Sequence, residues 1–91
     1  MYHYMTAHQL AEEIRKGNAS ASEIARSAMD RIERLDQEIG AYITATGDRA
    51  LEAANRVDER LAKGEAVPPL AGIPMAIMDN ICTQGILTTC A

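Results

Sequence analysis

Phenylalanine and tryptophan are absent from this chain of 91 residues, and tyrosine occurs only three times. Aromatic side chains usually provide the largest buried areas of a core, so their scarcity leaves a core of aliphatic side chains. Apolar residues make up 47% of the sequence, but much of that fraction is alanine. A chain of this length forms at most one small domain, and we expect marginal stability from it as a monomer.

Clusters of lysine or arginine are also absent. The chain carries 13 acidic and 9 basic residues, for a formal net charge of -4. This balance offers no basic surface to a phosphate backbone, so direct nucleic-acid binding is not expected. No apolar run is long enough to cross a bilayer, and residues 1–5 lack the features of a secretory signal, which favours a soluble cytoplasmic protein.

Signals for metals and cofactors are missing as well. Cys82 and Cys90 lie eight positions apart, which is typical of neither a zinc site nor a redox pair, and we interpret them as reduced, partly buried side chains. His3 and His8 fit exposed or capping positions better than a metal pair. The scattered glycines match no phosphate-binding loop, so neither a cofactor nor a metal is expected.

A first amphipathic helix is predicted close to the amino terminus. Thr6 and Gln9 have the spacing of a capping box, in which each side chain bonds the other residue's backbone amide. Gly17 then supplies a left-handed stop. The apolar residues between them repeat at helical spacing: Ala7, Leu10, Ala11 and Ile14.

A second, longer helix begins with the same pattern at Ser20 and Glu23. Charged residues such as Arg34 and Asp36 fall on its other faces, where we interpret them as a solvated surface. Gly40 interrupts the helical pattern. One continuous apolar stripe is formed by Ile24, Ala28, Ile32, Leu35 and Ile39.

Residues 41–44 are too few for a helix and suit a single strand or an extended crossing. A third helix follows from about Asp48 to Lys63, with one side that is apolar except for Asp58. The three helices can pack on each other as a small bundle, or dock through their alanine-rich stripes on a larger body. Both arrangements remain open at this point.

The chain changes character at Val67-Pro68-Pro69, which cannot continue a helix and indicates a linker or turn. Residues 74–78 are apolar on both faces, a pattern typical of a buried strand in an α/β sheet, and Gly72 and Pro74 would set the start of that strand.

Residues 70–91 read Leu-Ala-Gly-Ile-Pro-Met-Ala-Ile-Met-Asp-Asn-Ile-Cys-Thr-Gln-Gly-Ile-Leu-Thr-Thr-Cys-Ala. This segment resembles the part of amidase signature enzymes that carries their catalytic lysine, and in particular the A subunits of glutamyl-tRNA(Gln) amidotransferases. Residues 70–77 and 79–81 fit that pattern, whereas Met78 occupies the lysine position. The order of the preceding helices is also similar to that of the family.

The resemblance implies a mainly α fold of three amphipathic helices followed by one or two short strands, as an amino-terminal piece of an α/β amidase signature fold. Residues 1–66 would be the helical amino-terminal region. Residues 67–91 would be the incomplete start of the amidase core, a strand and a turn.

The resemblance also implies a chemistry that this chain would not complete. In the family, the lysine takes the proton of a nucleophilic serine through a second serine on a cis peptide bond. Met78 can fill a similar volume but can neither accept nor deliver a proton. The family's two serines lie beyond the position that matches Ala91, so no intact catalytic set is expected. Asp79 and Asn80 would keep a supporting turn.

Two functions remain open. The chain is either an inactive amino-terminal fragment of an amidotransferase A subunit or a non-catalytic helical binding module that docks on an amidase domain or a partner subunit. The family hydrolyses the amide of glutamine and supplies ammonia for transamidation of misacylated tRNA, as a carbon–nitrogen ligase with glutamine as amido donor. The expected partners are other amidotransferase subunits or a second copy of the chain, with no direct nucleic-acid or membrane contact.

Overall fold

The computed structural model describes residues 2–42, 45–77 and 84–86. Within them, a short 3-10 helix at Tyr2–Tyr4 precedes three α-helices. These helices are α1 (Ala7–Lys16), α2 (Ala21–Ile39) and α3 (Gly47–Ala62). The prediction of a mainly α chain with three helices is confirmed. None of the helices in the described residues combines the length and the apolarity needed to cross a bilayer.

Helix α1 has the ends that its sequence predicts. The Thr6 hydroxyl accepts from the Gln9 amide at 3.1 Å, and the Gln9 side chain accepts from the Thr6 amide at 2.9 Å, so the capping box is complete. Gly17 ends the helix in the left-handed conformation at φ 77°. The face with Leu10, Ala11 and Ile14 is buried.

Helix α2 forms only half of its predicted capping box. The Ser20 hydroxyl accepts from the Glu23 amide at 3.2 Å, as a cap requires. The Glu23 carboxylate bonds the Ser20 hydroxyl at 3.1 Å and also accepts from the Tyr2 hydroxyl at 3.4 Å. Glu23 therefore ties the 3-10 helix to the start of α2 and leaves the backbone amide of Ser20 outside the box.

Only the first part of the α2 apolar stripe is buried. Ile24 is 2% exposed, whereas Leu35 is 37% and Ile39 is 67% exposed. The stripe is continuous in sequence, but among the described residues its partners cover the amino half of the helix. Gly40 ends α2, as predicted, and it adopts the left-handed conformation.

Helix α3 lies against α2 and begins one residue earlier than predicted, at Gly47. Thr46 precedes it without a side-chain cap, and Ala54 is its buried residue. The core is thin, as the composition predicts, and it consists of Leu10, Ile14, Ala19, Ala21, Ile24, Ala25 and Ala54.

The predicted strands do not form in the residues that the structure describes. Residues 41 and 42 are outside any regular element, and residues 43 and 44 lie outside the described ranges. Residues 74–77 form no strand either, and the prediction of a buried strand is wrong for them: Met75 is 72% and Ile77 is 58% exposed. A strand that is apolar on both faces needs sheet neighbours and covering layers, and the described residues provide neither.

Candidate functional site

The residues that the sequence singles out for chemistry, Met78, Asp79 and Asn80, lie outside the described residues, as do Cys82 and Cys90. Their roles therefore stay predictions. The structure does describe the segment that leads to them, residues 67–77, and the helices on which this segment rests. The candidate site is built from that segment and from the amino end of α2.

Two consecutive turns shape the segment after α3. The Ala71 amide donates to the Pro68 carbonyl at 3.0 Å, and the Ile73 amide donates to the Leu70 carbonyl at 3.2 Å. Gly72 stands between these donors with φ 85°, in the left-handed region that side chains other than glycine rarely adopt. A linker or turn was expected at Val67-Pro68-Pro69, and the first of these turns begins at Pro68.

Gly72 also makes a close approach to all three helices. A Cβ atom added at Gly72 would lie 2.8 Å from the Ala21 Cβ, 3.3 Å from the Ile14 Cδ1 and 3.4 Å from the Val57 Cγ1. A separation of 2.8 Å between two carbons is well inside their contact distance. The glycine of the Leu-Ala-Gly-Ile-Pro motif is therefore required both by its backbone angle and by the space it occupies.

Asp58 provides acceptors for the first turn of α2 from the neighbouring helix. Its two carboxylate oxygens accept from the Ala21 amide at 2.7 Å and from the Ser22 amide at 3.0 Å. Amides in the first turn of a helix have no partner inside that helix, and a negative charge there is favourable. Asp58 thus acts as a second cap of α2, contributed by α3.

Sequence reasoning missed this role, because Asp58 looked like a polar exception on the apolar side of α3. A signal was available in the sequence. The Ser20 hydroxyl caps only one of the first-turn amides of α2. The other amides of that turn can donate to an acidic residue on a helix that packs against it.

A comparable carboxylate lies at the other end of α2. The Asp36 oxygens accept from the Ala41 amide at 2.7 Å and from the Tyr42 amide at 3.3 Å. Asp36 was predicted to be part of a solvated surface, and the structure adds that it holds the chain just after Gly40. These bonds are exposed, whereas those of Asp58 are partly buried.

The serines and histidines of the described region show no catalytic arrangement. Ser20 has the predicted capping role, and its hydroxyl lies 3.1 Å from that of Ser22. His3 and His8 are exposed, as predicted, and the His8 Nε2 lies 3.9 Å from the Glu12 Oε1. Within the described residues, no group of three or more histidine, cysteine or acidic side chains could hold a metal ion.

Two pKa values near the amino terminus are shifted. Partial desolvation and the Glu23 carboxylate raise the pKa of the Tyr2 hydroxyl above 10.0. Desolvation and the nearby Arg31 guanidinium lower the pKa of His3 below 6.5. Both residues belong to the 3-10 helix, so these shifts concern the amino terminus.

The geometry described above is that of a positioning site. Three helices hold one turn at Gly72, and that turn sets where residues 74–77 begin. Further along, the Arg49 guanidinium of α3 donates to the Gln84 carbonyl at 3.2 Å, so the described residues after the motif also touch the helices.

Comparison with known proteins identifies the family of this sequence. The Amidase family model matches residues 23–91. The chain is 45% identical over 89 residues to the A subunit of the Moorella thermoacetica glutamyl-tRNA(Gln) amidotransferase, a match that covers 98% of the chain and 18% of that relative. It is 50% identical over 86 residues to the corresponding protein of Heliobacterium modesticaldum, with 94% of the chain and 18% of that relative covered.

The chain thus spans about a fifth of the length of these curated relatives, 18% in both cases. No solved structure matches it. The matched residues 23–91 include most of the helical region as well as the Leu-Ala-Gly-Ile-Pro motif, so the relation does not rest on the motif alone. The chain belongs to the amidase family.

Proposed function

We propose that residues 1–91 correspond to the amino-terminal part of the A subunit of a glutamyl-tRNA(Gln) amidotransferase and do not themselves hydrolyse an amide. The observation that carries the proposal is the identity of 45–50% to such subunits over 94–98% of the chain. In this assignment, residues 1–66 are a helical amino-terminal region and residues 67–91 begin the amidase core. The role belongs to protein synthesis in the cytoplasm, with other amidotransferase subunits as partners.

The absence of activity follows from Met78. A serine hydroxyl is a weak nucleophile at neutral pH and needs a neighbouring group that takes its proton. A desolvated lysine amine can do so, whereas a thioether has no proton to give and little basicity. Methionine at position 78 would preserve the volume of the side chain and remove the base, while Asp79 and Asn80 would retain a supporting turn.

A graft into an active relative tests this proposal. The matching segment of the Moorella thermoacetica protein is replaced by this chain, and ammonia release from glutamine is measured in the assembled amidotransferase. The graft with Met78 should be inactive. Met78→Lys should raise the rate by on the order of a hundredfold or more, the usual contribution of a general base.

Met75→Lys is the matched control, because it places a lysine amine on the same segment three residues earlier and should restore nothing. Size-exclusion chromatography of each graft shows whether the subunits assemble. Ammonia release by the Met78 graft at the rate of the Met78→Lys graft would overturn the proposal. So would an assembled Met78→Lys graft that stays inactive.

A second candidate function is a non-catalytic binding module, and the exposed half of α2 favours it. Ile39 and Tyr42 are 67% and 41% exposed near the carboxyl end of the helix, and Leu35 lies one turn before Ile39. Leu35 and Ile39 share one face of the helix, and exposed apolar side chains that are neighbours in this way are typical of an interaction site. In this function, the exposed half of α2 would dock on an amidase domain or on a partner subunit.

Binding of the chain to an amidotransferase whose A subunit lacks the matching segment tests this second candidate. Ile39→Lys should weaken the complex by about tenfold or more, because a charge would replace a buried contact. Glu38→Lys, which changes the charge of the neighbouring exposed residue, should leave the affinity within about threefold. Equal effects of the two variants, or the absence of a complex with the unaltered chain, would contradict it.

A further inference from the structure

We propose that the amino end of α2 is a seat shared by Asp58 and Gly72, through which Asp58 positions the turn that leads into residues 74–77. The seat consists of the backbone amides of Ala21 and Ser22 together with the Ala21 methyl group. The inference concerns only described residues and does not depend on catalytic activity.

The first amides of α2 have partners on two different helices. The Ser20 hydroxyl serves the Glu23 amide, and the two preceding amides have their partners on Asp58, 36 and 37 residues further along the chain. The Ser20 cap therefore does not serve the Ala21 and Ser22 amides, and their hydrogen-bond acceptor comes from α3. Because both carboxylate oxygens accept hydrogen bonds, two bonds rather than one hold the first turn of α2 against α3.

Gly72 packs on the same first turn of α2. Ala21 is fully buried, and its methyl group limits the space at Gly72 to less than a Cβ atom requires. The other two limits are Ile14 of α1 and Val57 of α3, the residue next to Asp58. The Ala21 amide thus donates to Asp58, while the Ala21 methyl group packs against Gly72.

The packing of Gly72 on Ala21 therefore depends on the hydrogen bonds from Asp58. A carboxylate that holds the first turn of α2 against α3 also keeps the Ala21 methyl where Gly72 can pack on it. Ile73, which packs against the core, and the turn from Leu70 to Ile73 then begin at a defined place. Asp58 is in this sense a positioning residue for the turn at residues 70–73, and it acts through Ala21.

Hydrogen exchange of the backbone amides in the 91-residue chain tests the inference. Asp58→Asn keeps the shape of the side chain and removes one acceptor and the charge. Exchange at the Ala71 and Ile73 amides should accelerate by on the order of tenfold, the effect of losing about one hydrogen bond. The unfolding midpoint of each variant is measured in parallel, so that a local opening is separated from global unfolding.

Asp36→Asn is the matched control, because it changes the same chemistry at the opposite end of α2. It should accelerate exchange at the Ala41 and Tyr42 amides and leave Ala71 and Ile73 unchanged. If Asp58→Asn leaves Ala71 and Ile73 unchanged, or if Asp36→Asn affects them equally, the inference is wrong.

The reverse variant decides the matter should Asp58→Asn unfold the chain. Gly72→Ala introduces a methyl group against Ala21 and should accelerate exchange at the Ala21 and Ser22 amides by more than the fall in its own unfolding midpoint explains. Protection of these two amides at the level of the unaltered chain would overturn the proposed coupling.

Discussion

Residues that hold the candidate site together do so through backbone atoms. Asp58 accepts from two amides of α2, and Gly72 fits where it does because it has no side chain. An isolated carboxylate on an apolar helix face is costly when it lacks donors, but here two amides without local partners supply them. The residues with the least conspicuous chemistry in the sequence therefore determine how the segment after α3 is placed.

Helix ends could be predicted from the sequence, whereas the role of Asp58 could not. The capping box at Thr6 and the helix ends at Gly17 and Gly40 depend on neighbours within a few positions, and these predictions are confirmed. Ser20 caps α2 as predicted, although the second bond of its capping box does not form. The role of Asp58 depends on residues 36 and 37 positions away, and no local pattern reveals which helix start a carboxylate will meet.

Gly72→Ala should destabilise the chain more than Gly40→Ala does. Both glycines have a positive φ, at 85° and 68°, so each alanine carries a backbone cost of about 1–2 kcal/mol. Only Gly72 adds a clash with Ala21, and overpacking of this kind costs about 1–3 kcal/mol more. Urea unfolding of the two variants measures the difference. Equal losses would show that the space around Gly72 is not restricted as described.

Elements differ in how completely they are buried, and α2 shows this along its own length. Its apolar stripe runs from Ile24 to Ile39, but only its amino half is buried, where Ile24 belongs to the core that α2 shares with α1 and α3. The period of the pattern predicts the helix and its apolar face correctly. The pattern does not predict how much of that face other helices cover, because this depends on the lengths and positions of those helices.

The stripe of α2 yields a prediction with an internal control. Ile24→Ala should lower the free energy of unfolding by about 2–4 kcal/mol, since the side chain is buried in the core. Ile39→Ala should change it by less than about 0.5 kcal/mol, because Ile39 is mostly exposed and alanine favours the helix. Thermal unfolding followed by circular dichroism measures both. A loss at Ile39 as large as that at Ile24 would contradict the burial pattern.

Residues 74–77 have the composition of a strand but do not form one. Their apolar composition is that of a strand inside a sheet, yet in the described residues they form none and leave Met75 and Ile77 exposed. A strand is stabilised by its neighbours rather than by its own residues. Composition indicates the environment for which these residues are suited, and the strand itself requires partners in space.

The whole molecule combines a thin helical core with a motif that rests on it. Scarce aromatic residues predict the small core, and the family resemblance carried by residues 70–91 is confirmed by the match to the Amidase model. The way in which the two parts meet was not predictable, because it arises from contacts among α1, α2, α3 and Gly72 that are distant in sequence. Met78, Asp79 and Asn80 keep their predicted roles as proposals.

Nuclear Overhauser effects at Gly72 test most directly whether the turn at residues 70–73 packs on all three helices. With methyl-labelled chain in solution, the Gly72 Hα protons should show cross-peaks to the methyl groups of Ala21, Ile14 and Val57, one from each helix. Sharp Gly72 signals without a cross-peak to any of these methyl groups, in a chain whose helices are folded, would contradict the account.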